Sequence, residues 1–228
     1  PLRLVGSEMC IRDRLKEVNK VFSFLQVHYK FKAYKHLIVS PHHTHNTLVK
    51  MINKEIENHK IGLPSGIRLK LNAITNFSII EKLYQASNEG VKIQMVVRGI
   101  CCLIPGIKGM SENIEVLSVV DKFLEHPRVY EFINGGSLIT YISSADFMTR
   151  NIENRLEVAA PIYDPELQRQ IKDVFDIIWN DNVKARRLNG TIQNNFVKNN
   201  SKPNRSQFEI YEYYKKEVDQ WKLGSTEQ

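Results

Sequence analysis

The sequence lacks any apolar run near the ~20 residues that a membrane-crossing helix needs. Nothing near its start has the basic, apolar and small-residue order of a signal peptide. No transmembrane segment is expected, and the cytoplasm is the expected compartment, with peripheral attachment to a membrane left open. Cysteine is scarce: Cys10, Cys101 and Cys102 are an odd count with two of the three adjacent, which makes a poor disulfide framework. No Cys-x-x-Cys or His-x-x-x-His spacing suggests structural zinc. Acidic residues are missing between Asp181 and Glu209, where Lys184, Arg186, Arg187, Lys198, Lys202 and Arg205 all fall. That stretch reads either as a solvated basic tail or as a contact for a polyanion. The formal net charge of +7 and a pI near 9.2 also suit an anionic partner, whether nucleic acid, acidic lipid or nucleotide.

What the chain does contain is an alternation of short apolar strands and amphipathic helices. The first fourteen residues, "PLRLVGSEMCIRDR", lead into no pattern and resemble translated adapter read-through, so 1–14 is expected to be a non-native leader. Residues 15–35, with helical apolar spacing in "VNKVFSFL", read as the end of a preceding domain or a linker helix. Strands are expected at 36–41, 66–74 and 91–97, separated by helices at 44–62 (Thr44 as N-cap) and 77–90. This order is that of a parallel α/β unit. Further strands follow at 114–120, 128–133, 137–143 and 156–162, with "DKFLEH" between the first two read as closing a helix. A long helix spans 164–182, residues 189–204 form a linker or hairpin, and a last helix lies near 206–221. The fold class expected is α/β: one domain over 36–188, a mixed sheet flanked by helices on both faces, then a basic linker and C-terminal helical extension over 189–228.

In open α/β sheets ligands bind beyond the carboxyl ends of the strands. The strand at 91–97 delivers Arg98 there, beside Gly99, on a long glycine-rich loop of the kind that often binds ligands. A guanidinium fork matches phosphate oxygens, although a structural arginine at a strand end is common. His126 alone reads as readily as a packed residue. Its neighbours alter the balance: His-x-Arg, a strand, then "ISSAD" with Arg150 and Asn151 has the order of a phospholipase D-type half-site. In that pattern a histidine acts at phosphorus, a cation neutralises the equatorial oxygens, and small hydroxyl residues let the backbone approach. Here Arg128 stands for the lysine, Ser143 and Ser144 for Gly-Ser, and Asp146 for the asparagine, while Glu157 is placed to orient an imidazole or an arginine.

Together, "VVRGICCLIPGIKGMSENIEVLSVVDKFLEHPRVYEFINGG", "YISSADFMTRNIENRLEVAAPI" and "DNVKAR" closely resemble the last domain of type 1 polyphosphate kinases, from about Val18 onward. The resemblance implies a phospholipase D-like fold and a share in an enzyme that reversibly moves the terminal phosphate of ATP onto polyphosphate. It implies that the phosphorylated histidine lies in an upstream domain, so this chain contains no phosphohistidine nucleophile and is expected to be inactive alone. It carries a catalytic role to His126 and nucleotide or phosphate binding to Arg98, His126, Arg128, Ser143, Ser144, Asp146 and Arg150. No metal ligand is expected here: Mg2+ would arrive with ATP, bound mainly by the upstream domain. The partners implied are ATP and ADP, inorganic polyphosphate, the upstream domains and further copies in a homo-oligomer, with no nucleic acid. One departure is His45, where the family commonly has arginine in Ser-Pro-x-x-x-Arg. Two rival readings remain, a phospholipase D-like phosphodiesterase or nuclease and a noncatalytic polyanion-binding module.

Overall fold

The computed structural model describes residues 2–27, 32–189 and 195–225. Its elements are α1 (Leu2–Gln26), β1 (Ile38–Ser40), α2 (Thr44–Lys60), β2 (Ile67–Leu71), α3 (Phe77–Asn88), β3 (Ile93–Val97) and β4 (Ile114–Val119). There follow β5 (Arg128–Phe132), β6 (Ile139–Ser143), β7 (Glu157–Ile162), α4 (Pro165–Trp179), β8 (Ala185–Leu188) and α5 (Ser206–Ser225). The strands form one sheet in the order β1-β7-β6-β5-β2-β3-β4-β8. Only the β2–β3 and β3–β4 pairings are parallel, and every other pairing is antiparallel.

Alternation along the strands decides which helix covers which face. Ile67, Leu69 and Leu71 of β2, Ile93, Met95 and Val97 of β3, and Tyr130 and Phe132 of β5 point one way. They bury against Leu48, Ile52 and Ile56 of α2 and Ile79, Ile80 and Leu83 of α3. The opposite face is covered in two places. Val96 packs on Phe175 and Ile178 of α4, and Val39 packs with Val21 of α1. The expected mixed sheet with helices on both faces is therefore present. Glu17 ties α1 to the approach of β1, accepting from the backbone N–H of Lys35, His36 and Leu37 at 2.5–3.0 Å. The α1 helix runs without a break through the stretch set apart as a leader.

Four local expectations need correction. β1 precedes β2 but does not neighbour it: three antiparallel strands lie between them, and β1 pairs with β7. Thr44 does not cap α2. It is the first helical residue, and its hydroxyl accepts from Ser40 Oγ at 2.7 Å. "DKFLEH" is not helical, because Pro127 disfavours a helical residue before it and side chains from elsewhere hold the segment in an irregular loop. Finally, β8 was not expected as a strand. Of the linker expected over 189–204, residues 190–194 lie outside the described residues, and Phe196 bridges Arg186. The C-terminal helix packs back on α4, with Tyr213 Oη donating to Asp173 at 3.1 Å.

Candidate active site

Strand directions collect polar residues at one end of the sheet. The C-terminal ends of β1, β2, β3 and β6 and the N-terminal ends of β5 and β7 all meet there. Asn72, Arg98, Arg128, Ser143 and Glu157 follow from that arrangement, each at or next to the end of its strand. His126 is on the β4–β5 loop, two residues before β5. Close approach of the β2 and β3 ends requires glycine at position 99, since a Cβ there would stand 2.9 Å from the Asn72 carbonyl oxygen.

These side chains close into a ring of hydrogen bonds. Arg128 Nη2 donates to Asp146 Oδ2 at 2.6 Å, and Asp146 Oδ1 accepts from the backbone N–H of Asn72 and Ala73 at 2.7 and 3.0 Å. Asn72 Oδ1 then accepts from Arg98, through Nε at 2.8 Å and through Nη2. Arg98 Nη2 meets His126 Nδ1 at 3.4 Å, and Arg128 Nη1 donates to the His126 carbonyl at 3.1 Å. A guanidinium has no acceptor, so Nδ1 of His126 accepts. In the neutral ring Nε2 then carries the hydrogen.

Burial would push the Asp146 carboxyl up, but hydrogen bonds from Arg128, Ala73 and Asn72 outweigh it and hold it below the usual carboxylate range. Arg128 and Asp146 thus pair in charge, with side chains 12% and 5% exposed. Arg98 differs: its side-chain partners are an amide oxygen and an imidazole, and no acidic side chain pairs with it among the described residues. It faces a cleft of about 500 Å³ lined by Arg98, Gly99, Ser118, Val120, Arg186 and Leu188. Arg186 lies over the Phe196 ring at 4.5 Å. The cleft therefore carries two guanidiniums, which suits a phosphate chain.

The remaining expected residues sit outside the ring. Ser143 is the cross-strand partner of Arg128, and its hydroxyl accepts from the Ala145 N–H at 3.0 Å. Ser144 donates to Glu157, which also accepts from Asn151 Nδ2 at 2.6 Å. Arg150 is exposed at the start of a π-helical turn spanning Arg150–Asn154, with no ring member bonded to its side chain. His45 bonds Ser78 Oγ at 2.7 Å rather than any member of the ring. Asn72 was not singled out in the sequence, and Arg186 was named only as one of the basic residues between Asp181 and Glu209. The polar residue straight after an apolar strand was the available signal for Asn72.

No group of three or more His, Cys, Asp or Glu side chains able to hold a metal occurs among the described residues. The carboxylates near the ring are engaged by Arg128 and by Ser144 and Asn151. This cation-rich end does not fit a resident Mg2+. Among the described residues no helix is long and apolar enough to cross a membrane.

Residues 37–207 match the family model for polyphosphate kinase C-terminal domain 2. Over 200 residues the chain is 45% identical to the polyphosphate kinase of Escherichia coli K12 and 46% identical to that of Klebsiella pneumoniae, with 87% of this chain covered. The chain spans about 29% of the length of each of these relatives. The crystal structure of polyphosphate kinase from Porphyromonas gingivalis superposes with a TM-score of 0.88 at 39% identity, covering 91% of this chain and 32% of that one.

Proposed function

The chain belongs to the polyphosphate kinase family, and from that premise we propose that it supplies the nucleotide- and phosphate-binding half of a reversible ATP:polyphosphate phosphotransferase. The phosphorylated histidine is contributed by another domain of the enzyme, and Mg2+ comes with the nucleotide. Arg98 neutralises the non-bridging oxygens of the phosphoryl group in transit. His126 offers its Nε2–H to an oxygen of the same group. Phosphoryl transfer demands alignment and charge neutralisation more than covalent chemistry from its surroundings. Arg128 and Asp146 act from behind, holding the His126 carbonyl and the Asn72 backbone. Ser143, Ser144 and Arg150 border the phosphate path.

The observation that carries this reading is that Arg98, which contacts His126, lines a cleft whose two guanidiniums lack carboxylate partners among the described residues. The test is a graft of this chain in place of the matching part of Escherichia coli polyphosphate kinase. His126→Ala in the graft should nearly abolish phosphoryl transfer while changing the unfolding free energy by no more than about 1–2 kcal/mol, since an exposed ring leaves little cavity. A graft that keeps its rate without His126 returns the residue to a structural role. Phosphodiester hydrolysis by the chain alone would favour the nuclease reading instead.

A further inference from the structure

His126 sits on a loop with no regular structure, residues 120–127 between β4 and β5. A histidine that must meet a phosphoryl group within hydrogen-bond reach needs that loop fixed. The loop's fixed points are side chains from distant parts of the chain. The Asp121 carboxylate, 3% exposed, takes a bidentate pair from Arg205, with Nε to Oδ2 at 2.8 Å and Nη2 to Oδ1 at 2.7 Å. The Phe123 backbone is gripped at both polar groups by one amide. Its N–H donates to Gln207 Oε1 at 2.9 Å, and its carbonyl accepts from Gln207 Nε2 at 2.8 Å. From the other side Lys70 of β2 donates to Glu125 Oε2 at 2.8 Å, one residue before the histidine.

Arg205 and Gln207 bracket the first residue of α5, and that start is itself anchored. Ser206 gives its N–H and its hydroxyl to Asp181 Oδ2 at 2.8 and 2.7 Å. The other oxygen of Asp181, a fully buried residue, accepts from the N–H of Val183, Lys184 and Ala185 at 2.6–3.1 Å. One carboxylate thus joins the entry to β8 and the start of α5. Asn204 Nδ2 adds a bond to the Ile177 carbonyl of α4 at 3.2 Å. The start of α5 is a rigid post, and the histidine loop hangs from it.

We propose that the first turn of α5 is a clamp that sets the position of His126, with Gln207 and Arg205 as positioning residues acting through the loop. The inference rests on the reading of His126 as a phosphate-contacting residue. It gives the C-terminal helix a role in the site although it contributes no residue to the ring.

Gln207→Ala is the probing substitution, because it removes both grips on Phe123 at a helix position where alanine is favourable. On the whole chain three quantities are read: thermal unfolding, hydrogen–deuterium exchange over 120–127, and calorimetric affinity for inorganic tripolyphosphate. The expected result is an unchanged melting temperature within about 2 °C, faster exchange confined to the loop, and about tenfold weaker binding. The same substitution in a His126→Ala background should weaken binding no further, since its effect passes through His126. Gln207→Glu, which keeps the acceptor for Phe123 N–H but loses the donor, should fall between. Unaltered loop exchange in Gln207→Ala overturns the clamp, and so does equal weakening in both backgrounds. If His126→Ala alone leaves the affinity intact, the phosphate-site reading fails instead, while loop exchange still decides whether the clamp exists.

Discussion

Arg98 and Arg128 both bond His126, one through its ring and the other through its carbonyl, yet they differ in what else they touch. Arg128 faces a buried carboxylate at 2.6 Å, and its charge is matched inside the protein. Arg98 faces an amide oxygen and a ring nitrogen, so its charge is balanced by nothing acidic among the described residues. An anion entering the cleft therefore gains from Arg98 what it does not gain from Arg128. A third arginine extends the contrast. Arg68 on β2 lies 4.0 Å from Glu131 and 3.4 Å from Asp176, too far for a good pair. Neither carboxylate oxygen of buried Glu131 has a hydrogen-bond partner among the described residues. Asp146 is held below the usual carboxylate range, whereas burial pushes Glu131 up to about 7, only partly offset by Arg68.

The largest expected effect separates the two site arginines by stability. Arg128→Met strands the Asp146 carboxylate and should destabilise the fold by about 3–5 kcal/mol. Denaturant unfolding of Arg98→Met, with no buried acid left behind, should stay near wild type; equal losses in the two variants would erase the distinction. Next comes Arg98→Lys, which keeps the charge and loses the planar fork. In the graft with the Escherichia coli enzyme it should raise the barrier to transfer by about 2–4 kcal/mol, and wild-type kinetics would make Arg98 structural.

Glu131 provides the third comparison, by pH. Its ordinary value is 4.5 and its folded value about 7, so between them the folded state holds a proton that the unfolded chain has released. Its contribution to stability is therefore full below the unfolded value and is lost as pH rises to about 7. Glu131→Gln should accordingly stabilise the chain above that range, by about 1–3 kcal/mol, and change little under acidic conditions. Melting curves with no pH-dependent difference between the two would show that Glu131 is better paired than its geometry indicates. The smallest effect is expected of His45→Arg, which installs the cation common in the family. The exposed His45–Ser78 bond is worth about 1 kcal/mol, and tripolyphosphate affinity should hardly move, because His45 is not joined to the ring.

Much of this was legible from local pattern. Strand alternation located β1 to β7, and the residues that follow strand ends include Arg98. Long-range pairing was not legible. Nothing in "LNA" announces that Asn72 holds Arg98 at the end of the neighbouring strand, or that Asp146 accepts from Arg128. The four residues of β8, two of them arginine, carry no apolar alternation, because the strand is a short edge whose Arg187 pairs with Glu115 at 2.5 Å. "DKFLEH" has helical spacing, but Pro127 and the grips of Arg205, Gln207 and Lys70 prevail over it. The basic stretch before Glu209 read as a tail or a polyanion contact because its acids lie elsewhere: Arg187 finds Glu115, and Arg205 finds Asp121.

The central claim is that Arg98 and His126 meet one phosphate group together. Side-chain 15N spectra of His126, followed as inorganic tripolyphosphate is titrated into the chain, address it most directly. The account predicts a saturable shift of the Nε2 resonance in the wild type, markedly weakened in Arg98→Lys and kept in His45→Arg. A His126 ring that ignores the anion, or that shifts equally with and without the Arg98 guanidinium, would contradict it.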